Sequence, residues 1–152
     1  MIKNLLQNYI KDYKITLTEN QYEQFQKYFE LLAEWNEKMN LTAITDESGV
    51  ALKHFADSLS LLNFVDIPQN SSLADVGTGA GFPGVVLKIA RPDIKLTLID
   101  SLNKRLVFLG EVCAQLGIEA ELIHSRAEDG ARDEKLRESF DFAVSRAVAR
   151  LQ

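Results

Sequence analysis

Cysteine occurs once in 152 residues, as Cys113, so neither an internal disulfide framework nor a multi-cysteine zinc site is available. Histidine occurs twice, which leaves little room for a metal cluster, and no metal is expected. No apolar run reaches the roughly 18 residues of a membrane span. The opening MIKNLLQNYIKDYK also lacks the apolar core of a signal peptide. A membrane partner is therefore not expected, and the chain reads as cytoplasmic. Arginine is missing from the first 90 residues; all seven lie beyond them. Residues 1–72 hold six lysines against ten acids (net −4), and the remainder eleven basic residues against twelve acids (net −1). A total charge of −5 argues against a generic nucleic-acid binder held by phosphate contacts, and no DNA partner is expected. Because arginine is the better fork for phosphate and carboxylate, an anionic partner is expected to meet the C-terminal half.

What is present is ordinary for a globular chain: 46% hydrophobic and 26% charged residues. This length makes one domain, or a small domain with a helical extension, and buries roughly two-thirds of its unfolded surface. A monomer is expected. Residues 1–70 read as a helical region. Leu5, Leu6, Tyr9, Ile10 and Tyr13 follow a helical period, and Thr18 with Gln21 forms a capping box. Behind that box Tyr22, Phe25, Phe29, Leu32 and Trp35 make an apolar stripe ending near Met39, read as core. A third helix is predicted from Asp46 or Ser48 through Leu62. The turn cluster Pro68–Ser72 marks the boundary.

From residue 71 to 152 the pattern alternates. Strands are predicted at 73–77, 95–100, 121–125 and 140–145, with helices at 85–90 and 102–117 and a polar helix or loop before the fourth strand. This spacing gives an α/β fold with a parallel, doubly wound sheet. Such sheets normally carry more strands, yet residues 147–151 read as the start of a helix just before the chain ends. Strand four is expected at an exposed edge, so either the fold is unusually small or the chain is a piece of a longer protein.

The stretch Asp75-Val-Gly77-Thr-Gly79-Ala-Gly81-Phe-Pro-Gly84 follows the first strand. Its glycines let the backbone turn tightly and approach a ligand closely. Phe82 stands where the dinucleotide fingerprint needs its third glycine, the P-loop signature is absent, and Pro83 removes one amide donor. Strand two ends in Asp100, where a carboxylate accepts a ribose diol. A glycine loop and a ribose acid without a phosphate cradle suit S-adenosyl-L-methionine better than NAD or ATP. The alternatives are a bare strand-to-helix turn for the loop and a helix cap for Asp100.

Asn40-Leu-Thr-Ala-Ile44, Lys53-His-Phe-Ala-Asp-Ser-Leu59, the Asp75–Gly84 loop, Asp100-Ser-Leu-Asn-Lys-Arg105, Arg126-Ala-Glu128 and Ser145-Arg-Ala147 occur together and in order. This ensemble resembles the ribosomal RNA small-subunit methyltransferase G family, also called glucose-inhibited division protein B, over essentially the whole chain. The resemblance implies a Rossmann-like class I methyltransferase fold with an N-terminal helical extension. It also implies S-adenosyl-L-methionine as methyl donor and N7 of one guanosine in 16S rRNA, free or in the 30S subunit, as acceptor. By resemblance Gly77 and Phe82, with Gly79 and Gly81 of the same loop, line the cofactor site, and Asp100 holds the ribose. Ala127 and Glu128 flank the adenine, Arg146 sits at the site's edge, and Asp75 faces the methionine ammonium. The family's chains continue for about three more strands, absent here. The alternative is therefore a cofactor-binding fragment or scaffold domain without turnover; a small nicotinamide oxidoreductase is disfavoured by Phe82.

No catalytic residue is assigned. Guanine N7 carries a lone pair and no proton, so its methylation needs no general base, and positioning two reactants in line can supply up to roughly 7–11 kcal/mol. Among the remaining candidates, His54 is read as docking the helical part onto the sheet, with Asp57 one turn on. Asn40 and Thr42 are read as turn formers as readily as ligand contacts. Cys113 is read as core, His124 as a solvent-facing edge residue, and Lys104 and Arg105 as solvated or touching RNA phosphate.

Overall fold

The computed structural model describes residues 1–126 and 140–145. The predicted polar helix or loop after strand three and the helix start near residue 147 lie outside them. α1 (Ile2–Tyr9) buries Ile2 and Leu6 and ends before the predicted Tyr13. Tyr13 instead donates its hydroxyl to the Ala56 carbonyl at 3.2 Å. α2 (Glu19–Met39) starts at the predicted capping box and stops at Asn40, whose left-handed φ of 50° closes the helix. Its buried stripe differs from the prediction in one respect. Tyr28 is fully buried, whereas Phe29 and Trp35 are only partly covered, because the packed face follows 22, 25, 28, 31 and 32.

α3 (Glu47–Gly49) is capped by Asp46, whose carboxylate accepts the Gly49 amide at 2.9 Å. The helical path continues through a π-helical segment, Val50–Ala56, into α4 (Asp57–Phe64). In that segment Val50, Ala51, Phe55 and Ala56 are buried. Pairs five apart share a face there, which suits i→i+5 bonding.

Four strands follow: β1 (Ser72–Val76), β2 (Lys95–Asp100), β3 (Ala120–His124) and β4 (Phe142–Val144). All pairings are parallel and the order is β3-β2-β1-β4, so among the described strands β3 and β4 are the edges. α5 (Gly84–Ala90) crosses from β1 to β2 and α6 (Asn103–Leu116) from β2 to β3. The chain then returns to lay β4 on the other side of β1. Direction reverses at β1, and ligands bind at the carboxyl ends of the strands beside such a switch point.

Alternation divides the sheet. Leu73, Leu96 and Leu98 join the helical side, in one core with Phe25, Tyr28, Phe55, Val85 and Leu109, while Ala74, Val76 and Ile99 form a smaller cluster on the opposite face. α2 braces this layer by polar bonds as well. Gln21 Oε1 accepts the Thr18 amide at 2.7 Å, and its Nε2 donates to the Ile89 carbonyl at 2.9 Å. Gln24 Nε2 donates to the Leu116 carbonyl at 2.9 Å. Both acceptors are last-turn carbonyls of α5 and α6, which a helix leaves without an internal partner. Among the described residues no helix is long and apolar enough to cross a membrane.

Candidate functional site

The glycine loop leaves β1 at its carboxyl end and is held from two sides. On the sheet side, the amides of Gly77 and Thr78 donate to the Ile99 carbonyl of β2 at 2.8 and 3.1 Å. Asp75, fully buried, accepts the Thr78 hydroxyl and the Gly84 amide on Oδ2, each at 2.8 Å. The Asp75 carboxylate therefore closes the loop onto the start of α5. On the helical side, the Tyr28 hydroxyl donates to the Ala80 carbonyl at 2.5 Å. Phe82 is buried against Tyr28 and Phe55, and the His54 ring stacks on it at 4.2 Å with planes 9° apart.

Gly79 and Gly81 are glycine for different reasons. Gly81 (φ +103°) packs against Tyr28, Val85 and Leu109, leaving no room for a Cβ. Gly79 (φ +58°) has nothing within 4 Å of where a Cβ would sit, so its backbone borders open space. That exposed bend is where a ligand can approach the main chain.

Asp100 ends β2 with 1% exposure. Its Oδ2 accepts the Gly79 amide at 2.8 Å and its Oδ1 accepts the Leu102 amide at 2.9 Å. The Arg105 guanidinium is more distant, at 3.4 Å. The bond to Leu102 is a two-residue turn ahead of α6, whose first turn has no side-chain cap, so Asp100 is not a helix cap. The same carboxylate ties down the open corner of the glycine loop. A carboxylate has about four acceptor positions, so a diol at this corner has sites to bond, with the long Arg105 contact the easiest to replace. A buried acid beside an open backbone bend fits an adenosyl ligand.

The structure thus brings Asp75, Gly77, Gly79, Gly81, Phe82 and Asp100 to one corner of the fold. Ala127, Glu128 and Arg146 lie outside the described residues. Thr78 and Tyr28 were not singled out in the sequence: Thr78 sits between the glycines, and the only signal for Tyr28 was its place on the apolar face of α2. Thr42 accepts the Ile44 amide at 3.1 Å and lies 2.8 Å from His54 Nε2. His124 is exposed, its ring 2.8 Å from the Ser101 carbonyl. Cys113 is buried in α6 and burial pushes its thiol pKa up, as suits a core residue. Lys104 is exposed, while Arg105 leans on Asp100. Among the described residues no three His, Cys, Asp or Glu side chains gather as a metal set would.

A family model described as rRNA small subunit methyltransferase G matches residues 21–152. The chain belongs to this family. Over 143 residues it is 52% identical to the ribosomal RNA small subunit methyltransferase G of Desulforamulus reducens, covering 93% of this chain and 60% of that one. The protein of the same name from Thermoanaerobacter sp. (strain X514) is 56% identical over 142 residues, covering 93% of this chain and 59% of its own. The one from Alkaliphilus oremlandii is 50% identical over 151 residues, at 99% and 63%. The chain therefore spans about 60% of the length of the curated relatives it matches. Its backbone also matches a Plasmodium falciparum crystal structure named for protein-L-isoaspartate O-methyltransferase and holding S-adenosyl-L-homocysteine. The TM-score is 0.58 at 19% identity, covering 97% of this chain and 73% of that one. At that identity the likeness speaks for the fold alone, a Rossmann-like α/β arrangement.

Proposed function

We propose that this chain is the cofactor-binding part of an S-adenosyl-L-methionine-dependent methyltransferase that modifies 16S rRNA at N7 of one guanosine. The observation that carries the reading is the meeting of Asp100 with the open bend at Gly79. On this reading residues 1–70 are a helical support, residues 71–152 bind the cofactor, and the protein works as a cytoplasmic monomer on RNA or the 30S subunit.

Asp100 would hold the ribose diol, and the bend at Gly79 would let the ligand lie against the backbone. Gly77, Gly81 and Phe82 would shape the loop around it. Asp75 would face the methionine end of the cofactor, directly or through water. Ala127 and Glu128 would flank the adenine and Arg146 the edge of the site. S-adenosyl-L-methionine supplies an electrophilic methyl group on a sulfonium. The guanine N7 lone pair has no proton to lose, so the chain's task is to place two reactants in line. The base must be presented in a loop or flipped from its stack to reach the site.

A calorimetric titration with S-adenosyl-L-homocysteine, with NAD as control, tests the cofactor. Binding at about micromolar affinity that is lost in Asp100→Ala is expected; tighter binding of NAD would overturn the reading. Incubation with labelled cofactor and unmethylated 30S subunits, followed by cleavage at 7-methylguanosine, tests the acceptor. Because the chain spans about 60% of its relatives' length, a second reading is a domain that binds cofactor without turnover. Binding with no transferred label selects that reading.

A further inference from the structure

We infer that His54 is a positioning residue for the glycine loop, acting through Phe82; the inference rests on the cofactor reading above. Three rings surround Phe82. Tyr28 and Phe55 meet it tilted or edge-on, with centroids at 5.6 and 6.2 Å. The His54 ring lies parallel to it at 4.2 Å and 9°. A stacked pair fixes both the height and the tilt of the partner ring, which an edge contact does less well. Phe82 lies one residue beyond Gly81 and three beyond Gly79, so its attitude governs the bend that borders the open corner.

Packing alone would be served by any flat apolar ring, but an imidazole adds a polar hold on its own rotation. His54 Nε2 lies 2.8 Å from Thr42 Oγ1. Thr42 is itself fixed, with its amide donating to Asn36 Oδ1 at 2.8 Å and its hydroxyl oxygen accepting the Ile44 amide at 3.1 Å. A continuous line of contacts thus runs from the end of α2 through Thr42 and His54 to Phe82. The residue that makes the turn in this line sits in the π-helical segment Val50–Ala56. Such segments recur at functional sites, because the extra residue per turn re-aims side chains relative to an α-helix. His54 need not touch the ligand; it holds the ring that holds the loop.

The test uses the whole chain and two readouts. First, S-adenosyl-L-homocysteine affinity is measured for wild type, His54→Ala, His54→Phe and Thr42→Val, each alone and with Phe82→Leu. His54→Ala should weaken binding about three- to tenfold, the contribution of a stacked pair, and His54→Phe should restore most of it. Thr42→Val should fall between, and the His54→Ala effect should vanish in the Phe82→Leu background. Second, amide hydrogen exchange across residues 78–85 is followed without ligand. It should quicken in His54→Ala and not in His54→Phe, with β3 unchanged in both. Unaltered exchange and affinity in His54→Ala, or an equal loss with and without Phe82, overturns the inference even if melting temperature drops. If wild type fails to bind S-adenosyl-L-homocysteine while loop exchange still responds to His54, the cofactor reading falls and the positioning role stands.

Discussion

Tyr28 and Ala80 lie 52 residues apart, and the Tyr28 hydroxyl donates to the Ala80 carbonyl at 2.5 Å inside the core. The helical region and the glycine loop are thereby one mechanical unit. Tyr28→Phe keeps the ring and removes the donor, leaving a buried carbonyl without that partner. It is expected to cost about 1–3 kcal/mol in urea unfolding and to weaken S-adenosyl-L-homocysteine binding as well. Full stability in Tyr28→Phe would show that the loop does not depend on this bond.

Gly79 and Gly81 should respond in opposite order to the two assays. Gly81→Ala drives a methyl toward Tyr28, Val85 and Leu109 at φ +103°, and should lose about 3 kcal/mol or more of stability. Gly79→Ala meets no neighbour and suffers only the left-handed backbone cost of about 1–2 kcal/mol. Its methyl would nevertheless project into the open corner, so Gly79→Ala should hurt ligand affinity more than its stability loss suggests. Thermal melts and titrations of the two variants decide this.

Acid should reveal the pair at the other end of the sheet. Arg91 reaches Asp93 through Nε and a terminal nitrogen at 2.9 and 2.8 Å, and Asp93 also accepts the Asn70 amide at 2.9 Å. The Arg91 bond, opposed by burial and aided by Asn70, brings the Asp93 carboxyl from 3.8 down to about 2. A depressed folded pKa gives stability that is complete above the unfolded value and disappears as pH falls through the folded one. The window is therefore about pH 4 to 2. The shift is worth at most about 2 kcal/mol, and partial exposure of both side chains reduces that to about 1. Asp93→Asn should flatten the stability profile across that window while leaving the pH 5–7 slope alone.

Gln24 offers a control far from the loop. Gln24→Ala removes the donor to the Leu116 carbonyl at the end of α6, and about 1 kcal/mol of stability should go with it. Cofactor affinity should stay within error of wild type in a titration at a temperature where both proteins are folded. A parallel loss of affinity would mean that α6 transmits strain to Asp100.

Much of the fold was legible because its signals are local. The Thr18–Gln21 capping box, the β2 boundaries at Lys95 and Asp100, and Gly117 closing α6 each depend on a few adjacent residues. The site was legible to the extent that glycine spacing and a strand-ending acid are sequence patterns. Less visible were the contacts across long separations. Tyr28 is absent from the predicted stripe, which took Phe29 in its place, because helical periodicity alone cannot decide between two adjacent aromatics. The π-helical segment was invisible for a related reason: nothing in Val50–Ala56 breaks a helix, and the extra residue in the turn is set by what the segment packs against.

The sequence by itself determined the alternation of strands and helices, the loop's ability to turn, and the exclusion of a disulfide or multi-cysteine zinc site within these 152 residues. These follow from backbone sterics, hydrophobic period and residue inventory, which act over one or two turns of chain. Only the tertiary structure decided which glycine borders open space, that Asp75 and Asp100 both grip the loop, and that His54 stacks on Phe82. Those outcomes depend on groups 9 to 28 residues apart meeting in a packed, low-water interior, where a few tenths of an ångström separate a bond from a clash.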